Sequence, residues 1–129
     1  MSLISEITQH LHNNSIGTSG TNLFYSQMPD KDTDFLVCVY DRVGPAPDID
    51  ITEIKSPMFQ ILIRSKDYGT GKAKLDAIRA LLHGVINKYL VPGGIYFRKI
   101  HASSEGGHIG INDANKDEFS INFLADVIE

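Results

Sequence analysis

Gly69, Gly71 and Lys72 stand at the start of a long helical pattern in RSKDYGTGKAKLDAIRALLHG, residues 64–84, and these are the residue types with which a glycine-rich loop cradles a phosphate. A nucleotide loop of that kind needs GxxxxGK followed by serine or threonine. Here the place of the first glycine is taken by Lys66, and Ala73 follows Lys72. Part of the amide cradle and the magnesium-binding hydroxyl are therefore missing. Gly69 and Gly71 read instead as a flexible passage from strand to helix, with Thr70 as its N-cap.

Three further groups have residue types suited to chemistry. Asp30, Asp32 and Asp34 alternate like the first ligands of a calcium loop, but Phe35 replaces the turn glycine and Asp41 stands where a bidentate glutamate is needed. His10 and His12 diverge on a helix, and His101 and His108 have no third ligand nearby in sequence, so no zinc site is expected. Glu105, Asp113, Asp117, His101 and His108 gather around residues 103–117. They lack a spacing that assigns an acid, a base and a nucleophile, and Ser103, Ser104 and Ser120 lack the GxSxG elbow. No catalytic, cofactor-binding or metal-binding residue is assigned. The competing expectation is a small enzyme working through His101, His108 or Asp113.

The elements that carry these residues follow from periodicity. Leu3, Ile4, Ile7 and Leu11 recur at helical spacing behind Ser2, a suitable N-cap, which predicts a helix over 3–13. Leu23 to Ser26 allows a short strand, and FLVCVYDR, residues 35–42, a strand with apolar residues on both faces. In PMFQILIRS, Phe59, Ile61 and Ile63 alternate with Gln60, Leu62 and Arg64. A second helix is expected over 70–90, with a stripe of Leu75, Ile78, Leu82, Val85 and Tyr89 widened by Leu81 and Ile86, and with Pro92-Gly93-Gly94 as its stop. Residues 95–102 form a strand, 103–116 a connection, and Phe119, Ile121, Phe123, Ala125 and Val127 the inner face of a last antiparallel strand.

The resulting order is α-β-β-β-α-β-β, an α+β domain whose two helices cover one face of an antiparallel-rich mixed sheet. The stretch GPAPDIDITEIKSP, residues 44–57, interrupts it between the second and third strands. Ile49, Ile51 and Ile54 are more apolar than a solvated loop requires, so this is expected to be an extended arm or hairpin that meets another surface. With Glu53 it supplies the expected assembly-interface residues Ile49, Ile51, Glu53 and Ile54.

Composition bounds the partners. The 129 residues suit one domain, 1–129, and 42% hydrophobic with 22% charged residues is a folding composition. A formal net charge of -4 gives no general attraction to nucleic acid or anionic lipid, and the cations Lys72, Lys74 and Arg79 are diluted by Asp76. Cys38, the single cysteine, lies in an apolar run and is expected to be a buried thiol. The N-terminus does not read as a signal peptide, and no segment approaches the roughly 20 apolar residues of a membrane span, which points to synthesis in the cytoplasm.

Two long stretches resemble a known family. PMFQILIRSKDYGTGKAKLDAIRALLHG and GIYFRKIHASSEGGHIGINDANKDEFSINFLADV are similar to the minor capsid and tail-terminator proteins of long-tailed bacteriophages. In that pattern a strand bearing a glutamine and an arginine, here Gln60 and Arg64, leads through the aromatic Tyr68 to the second helix. A glycine-and-aspartate turn, Gly110 and Asp113, precedes a strand ending near the pair Asn122-Phe123. The turn Asn112 to Lys116 departs from the family's glycine-arginine ending, and residues 44–57 have no residue-by-residue counterpart. The resemblance implies a structural virion protein, without cofactor, that forms a homo-hexameric ring. The ring would cap the tail tube at the head-tail junction, with the major tail tube protein and a head-completion or connector protein as partners. The cost of organising the arm makes a monomer the expected free form. A head-completion adaptor is the alternative.

Overall fold

The computed structural model describes residues 2–29, 33–42 and 54–128. Helix α1 spans Leu3–Asn13, and it starts there because Ser2 Oγ accepts the free amide of Ser5 at 3.2 Å. Ile4, Ile7 and Leu11 form its buried stripe. Strands β1 (Leu23–Tyr25) and β2 (Phe35–Arg42) follow, then β3 (Ile54–Lys55) and β4 (Met58–Ser65). Helix α2 spans Tyr68–Leu82, and the chain closes with β5 (Val85–Tyr89), β6 (Tyr96–Ala102), β7 (Gly107–Ile111) and β8 (Asp117–Ile128).

These strands form one mixed sheet in the order β1-β2-β4-β8-β6-β5. Among the described strands, only β1 and β2 pair in parallel; the remaining ladders are antiparallel. The long strand β8 is the spine. Along one side it carries β4; on the other, β7 pairs with its first residues and β6 with its last, while β3 also pairs at its C-terminal end.

Strict alternation along β8 buries Phe119, Ile121, Phe123, Ala125 and Val127 on one face, opposite Ile63, Ile61 and Phe59 of β4. Phe59 and Phe123 stack at 5.2 Å between ring centroids. Ile7, Leu11, Leu75, Ile78 and Leu82 join the same cluster, so both helices seal this face, α1 over β1 and β2 and α2 over β4, β6 and β8. Cys38 is buried, and desolvation raises its thiol pKa, as expected of an unreactive cysteine.

The expected architecture holds, with three local corrections. First, α2 begins three residues earlier than a Thr70 cap would allow, because Asp67 accepts the amide of Thr70 at 2.7 Å and is the N-cap. Second, α2 ends at Leu82. Gly84, at φ +92, takes the left-handed conformation that ends a helix, and its amide donates to Ile100 O at 2.9 Å, opening the β5 ladder. Residues 85–89 are therefore strand, with Val85 inward and Ile86 and Tyr89 outward. Third, the connection 103–116 contains β7, which its glycine content conceals. Strand β3 is also present at the end of the 44–57 segment.

Candidate assembly surface

The start of α2 answers the glycine question. Asp67 already takes the amide of Thr70 there, and its carboxyl is held below the usual range by hydrogen bonds from the backbone and hydroxyl of Thr70. Gly71 lies within the first turn, where a Cβ would sit 2.1 Å from Phe119 Cε1 and 2.6 Å from Ser65 Oγ. It is the residue that lets α2 lie close on β8. Lys72 is turned to Asp76 at 2.9 Å.

The polar residues of 101–117 are dispersed by the sheet. His108 Nε2 meets Asp117 Oδ1 at 2.9 Å, and its ring rests edge-on against Phe119 and Tyr68. His101 pairs with Leu124, seven positions along β8 from Asp117, a distance of about 24 Å at ~3.4 Å per residue. Asp113 lies in the β7–β8 turn, which Asn112 Oδ1 closes by accepting the amides of Ala114 and Lys116.

A concavity of about 570 Å³ between α2 and residues 102–106 is lined by Lys72, Arg79, His83, Ser103, Ser104 and Glu105. Its cations are engaged: Arg79 holds Asp76 at 3.0 Å and Glu105 O at 2.6 Å, while His83 Nδ1 accepts the Ala102 amide. Among the described residues, no cluster of three or more His, Cys, Asp or Glu side chains is arranged to hold a metal. Asp30 and Asp32 lie outside the described residues.

The helix-free face of the sheet has a different character. Arg64 donates to Glu118 through Nε at 3.2 Å and through its terminal nitrogen at 3.1 Å. Asp126 accepts Ser56 Oγ at 2.8 Å and faces Lys99 at 3.5 Å. Arg42 donates to Gln60 at 3.3 Å. Burial and a hydrogen bond with Cys38 push the Tyr40 hydroxyl pKa up to about 12. Asn122 Oδ1 is buried without a hydrogen-bond partner among the described residues, in register with Gln60. This face carries polar pairs around Leu62 and Leu124, with Asn122 Oδ1 as its unpaired exception among the described residues.

The expected arm follows β2 in the chain. Ile49, Ile51 and Glu53 lie outside the described residues, and of Ile54 only the backbone is described, paired with Ile128. Strand β2 ends at Arg42, and the next described residues, Ile54–Lys55, form β3 at the C-terminal end of β8.

Sequence reasoning missed two exposed apolar groups. On spacing alone Ile86 and Tyr89 continue the inner stripe of a longer helix, and Ile109 and Ile111 fall in a stretch that reads as a plain connection. All four are exposed on strands. The signal available was Gly84, followed by a β-branched and aromatic run.

Comparison with known proteins identifies the setting of these surfaces. The sequence pattern of a family described as bacteriophage tail terminator protein matches residues 10–127. A solved chain described as belonging to the virion of a native gene transfer agent (GTA) particle has the same fold. Its TM-score is 0.74 at 18% identity, over 99% of this chain and 96% of that chain. No curated protein sequence matches. With the family pattern running from the middle of α1 to the penultimate residue of β8, the chain belongs to the bacteriophage tail terminator family, a structural family of virion tails.

Proposed function

We propose that this chain, acting as one domain over residues 1–129, closes the end of the phage tail tube as a homo-hexameric ring and presents its other side to the head-completion assembly. The observation that carries the reading is the nearly full-length family match. It falls on a sheet with one face sealed by helices and the other left as polar pairs. A closed ring needs heterologous contacts, in which one patch of each subunit meets a different patch of the next. Its partners are copies of itself, the major tail tube protein and a head-completion or connector protein, and the function needs no cofactor.

Residues 49–54 are the arm of this assembly: Ile49, Ile51 and Ile54 gain apolar burial against a neighbour, with Glu53 among them. The free protein is a monomer, because ordering an arm costs more than its own contacts return until a tube end supplies a template. The test is cryo-electron microscopy of the protein with assembled tail tubes, with and without deletion of Ile49 to Ile54. A ring at one tube end that vanishes on deletion is the expected result. Coating along the tube, attachment to head portals alone, or rings indifferent to the deletion would overturn, respectively, the terminal position, the tail-side assignment and the role of the arm.

A further inference from the structure

The last turn of α1 carries a histidine whose surroundings suit only the neutral ring. Asn14, the C-cap, donates through Nδ2 to His10 O at 2.9 Å, and that bond fixes which end of its amide faces the ring. The same nitrogen stands 3.4 Å from His10 Nδ1, so Nδ1 is the acceptor of this long contact and Nε2 carries the proton. Nε2 is buried and has no hydrogen-bond partner among the described residues. A second proton would set an N–H on Nδ1 against the N–H of Asn14, and would charge a ring whose other N–H already lacks an acceptor.

The neighbouring charges add to this. Lys88 of β5 is in register with the buried Phe97, which turns it to the helix-covered face beside α1. Glu6 lies one turn before His10, but its carboxylate accepts the Ile95 amide at 3.0 and 3.3 Å and forms no ion pair with the ring. The strands packed on α1 present Leu23, Val37 and Val39, which are apolar. Burial, and after it Lys88, hold the ring below its ordinary 6.5. The dipole of α1 favours a cation in its last turn and offsets part of this.

Lys88 belongs to the least secured strand of the sheet. Strand β5 is an edge, Val85 is its one buried residue, and its ladder with β6 skips Asn87, at φ +49, and Arg98. We infer that His10 is an acid-sensitive catch: as the neutral ring it lets Lys88 and the edge strand β5 close on the end of α1, and as the cation it drives them apart while the central ladder stays intact. The margin that carries Ile86 and Tyr89 is thereby tied to pH, whatever that margin meets. The unfolded chain takes the proton near 6.5 and the folded chain only below that. The catch is therefore complete above 6.5 and is lost as pH falls through the lower folded value.

Two measurements on the free, full-length protein test it between about pH 8 and about pH 5: the ring carbon and proton shifts of His10 by nuclear magnetic resonance, and the hydrogen-exchange protection factors of the backbone amides. The His10 ring should titrate below 6.5, and protection in β5 should fall about tenfold over the same range while protection in β8 holds. Lys88→Gln removes the opposing cation and should move both transitions to higher pH; Lys88→Glu offers the ring a partner and should move them further. His10→Gln should leave β5 protection independent of pH. A ring that titrates at or above 6.5, transitions that neither Lys88 variant moves, or β5 and β8 losing protection together would overturn the catch. Should His10→Gln fail to fold, the two Lys88 variants, which keep the native ring, decide by themselves.

Discussion

The central ladder β2–β4–β8 and the outer strands β5 and β7 are made of much the same residues, yet they behave oppositely. Phe59, Ile61, Ile121 and Phe123 are fully buried, whereas Ile86, Tyr89, Ile109 and Ile111 stand in solvent. Side-chain type does not separate them. The central strands have a neighbour on each side and a helix above, so each apolar side chain meets others on every side. Strand β5 ends the sheet, and β7 is attached to the first residues of β8 only. Apolar residues in the middle of the sheet therefore contribute to stability, and those at its margins are available for another subunit.

The contrast can be broken most severely at Leu82, the last residue of α2 and fully buried. Leu82→Asp removes a contact whose loss alone costs about 2–5 kcal/mol and adds an unpaired buried charge, against a total stability of about 5–15 kcal/mol. The expected outcome is loss of the cooperative thermal transition in circular dichroism. An unchanged melt would mean that α2 does not cover the sheet.

Two glycines two residues apart sharpen the contrast at smaller cost. At Gly71 an added methyl meets the Phe119 ring, so Gly71→Ala should destabilise by about 1–2 kcal/mol even after its gain in helix propensity. At Gly69 the nearest atom to such a methyl is Asp67 Oδ1 at 3.6 Å, and Gly69→Ala should be neutral or stabilise by up to about 1 kcal/mol. Urea midpoints measure both, and equal shifts would show that the close approach of α2 to β8 is not what selects Gly71.

On the helix-free face Tyr40 provides a titration. Its hydroxyl ionises near 10 when unfolded and is pushed up to about 12 in the folded chain. The folded state holds the proton more tightly, so this contribution to stability is complete below pH 10 and is lost as pH rises from about 10 to about 12. Denaturation followed across that range should show the decline, and Tyr40→Phe should lessen it. An identical decline in the variant would assign the effect to other groups.

The smallest effects are expected at the margins. Ile86→Ser and Ile111→Ser should each leave the stability of the monomer within about 0.5 kcal/mol of the parent, since neither side chain is buried. Thermal melting at low concentration checks this. A large loss at either position would place it with the central ladder.

Much of this arrangement was legible in the sequence where one periodicity ran without interruption. The alternation of Phe119 to Val127 could be satisfied only by a strand with one dry face, and Ile4, Ile7 and Leu11 only by a helix lying on something apolar. The resemblance carried by PMFQILIRS and the last strand likewise led to the family that the match over residues 10–127 shows. Reading failed where two periods coincide. Leu82, Val85, Ile86 and Tyr89 continue a helical stripe on paper, and a single left-handed residue, Gly84, breaks it. It failed again at β7, whose Gly107 and Gly110 carry no strand propensity and whose pairing comes from the edge of β8.

The sequence by itself determined the α+β class, both helices, the central strands and the inward face of each, because those follow from local spacing and from apolar side chains leaving water. Only the tertiary structure decided which apolar residues would remain outside. Whether Tyr89 or Ile109 is covered depends on having a neighbour across the ladder, and that neighbour is set by strand order and by where the sheet stops. It also decided that Lys88 and Arg98 stand at one end of β8 and Glu105 and Asp113 toward the other, since that separation is a consequence of how residues far apart in the chain pair along a single strand.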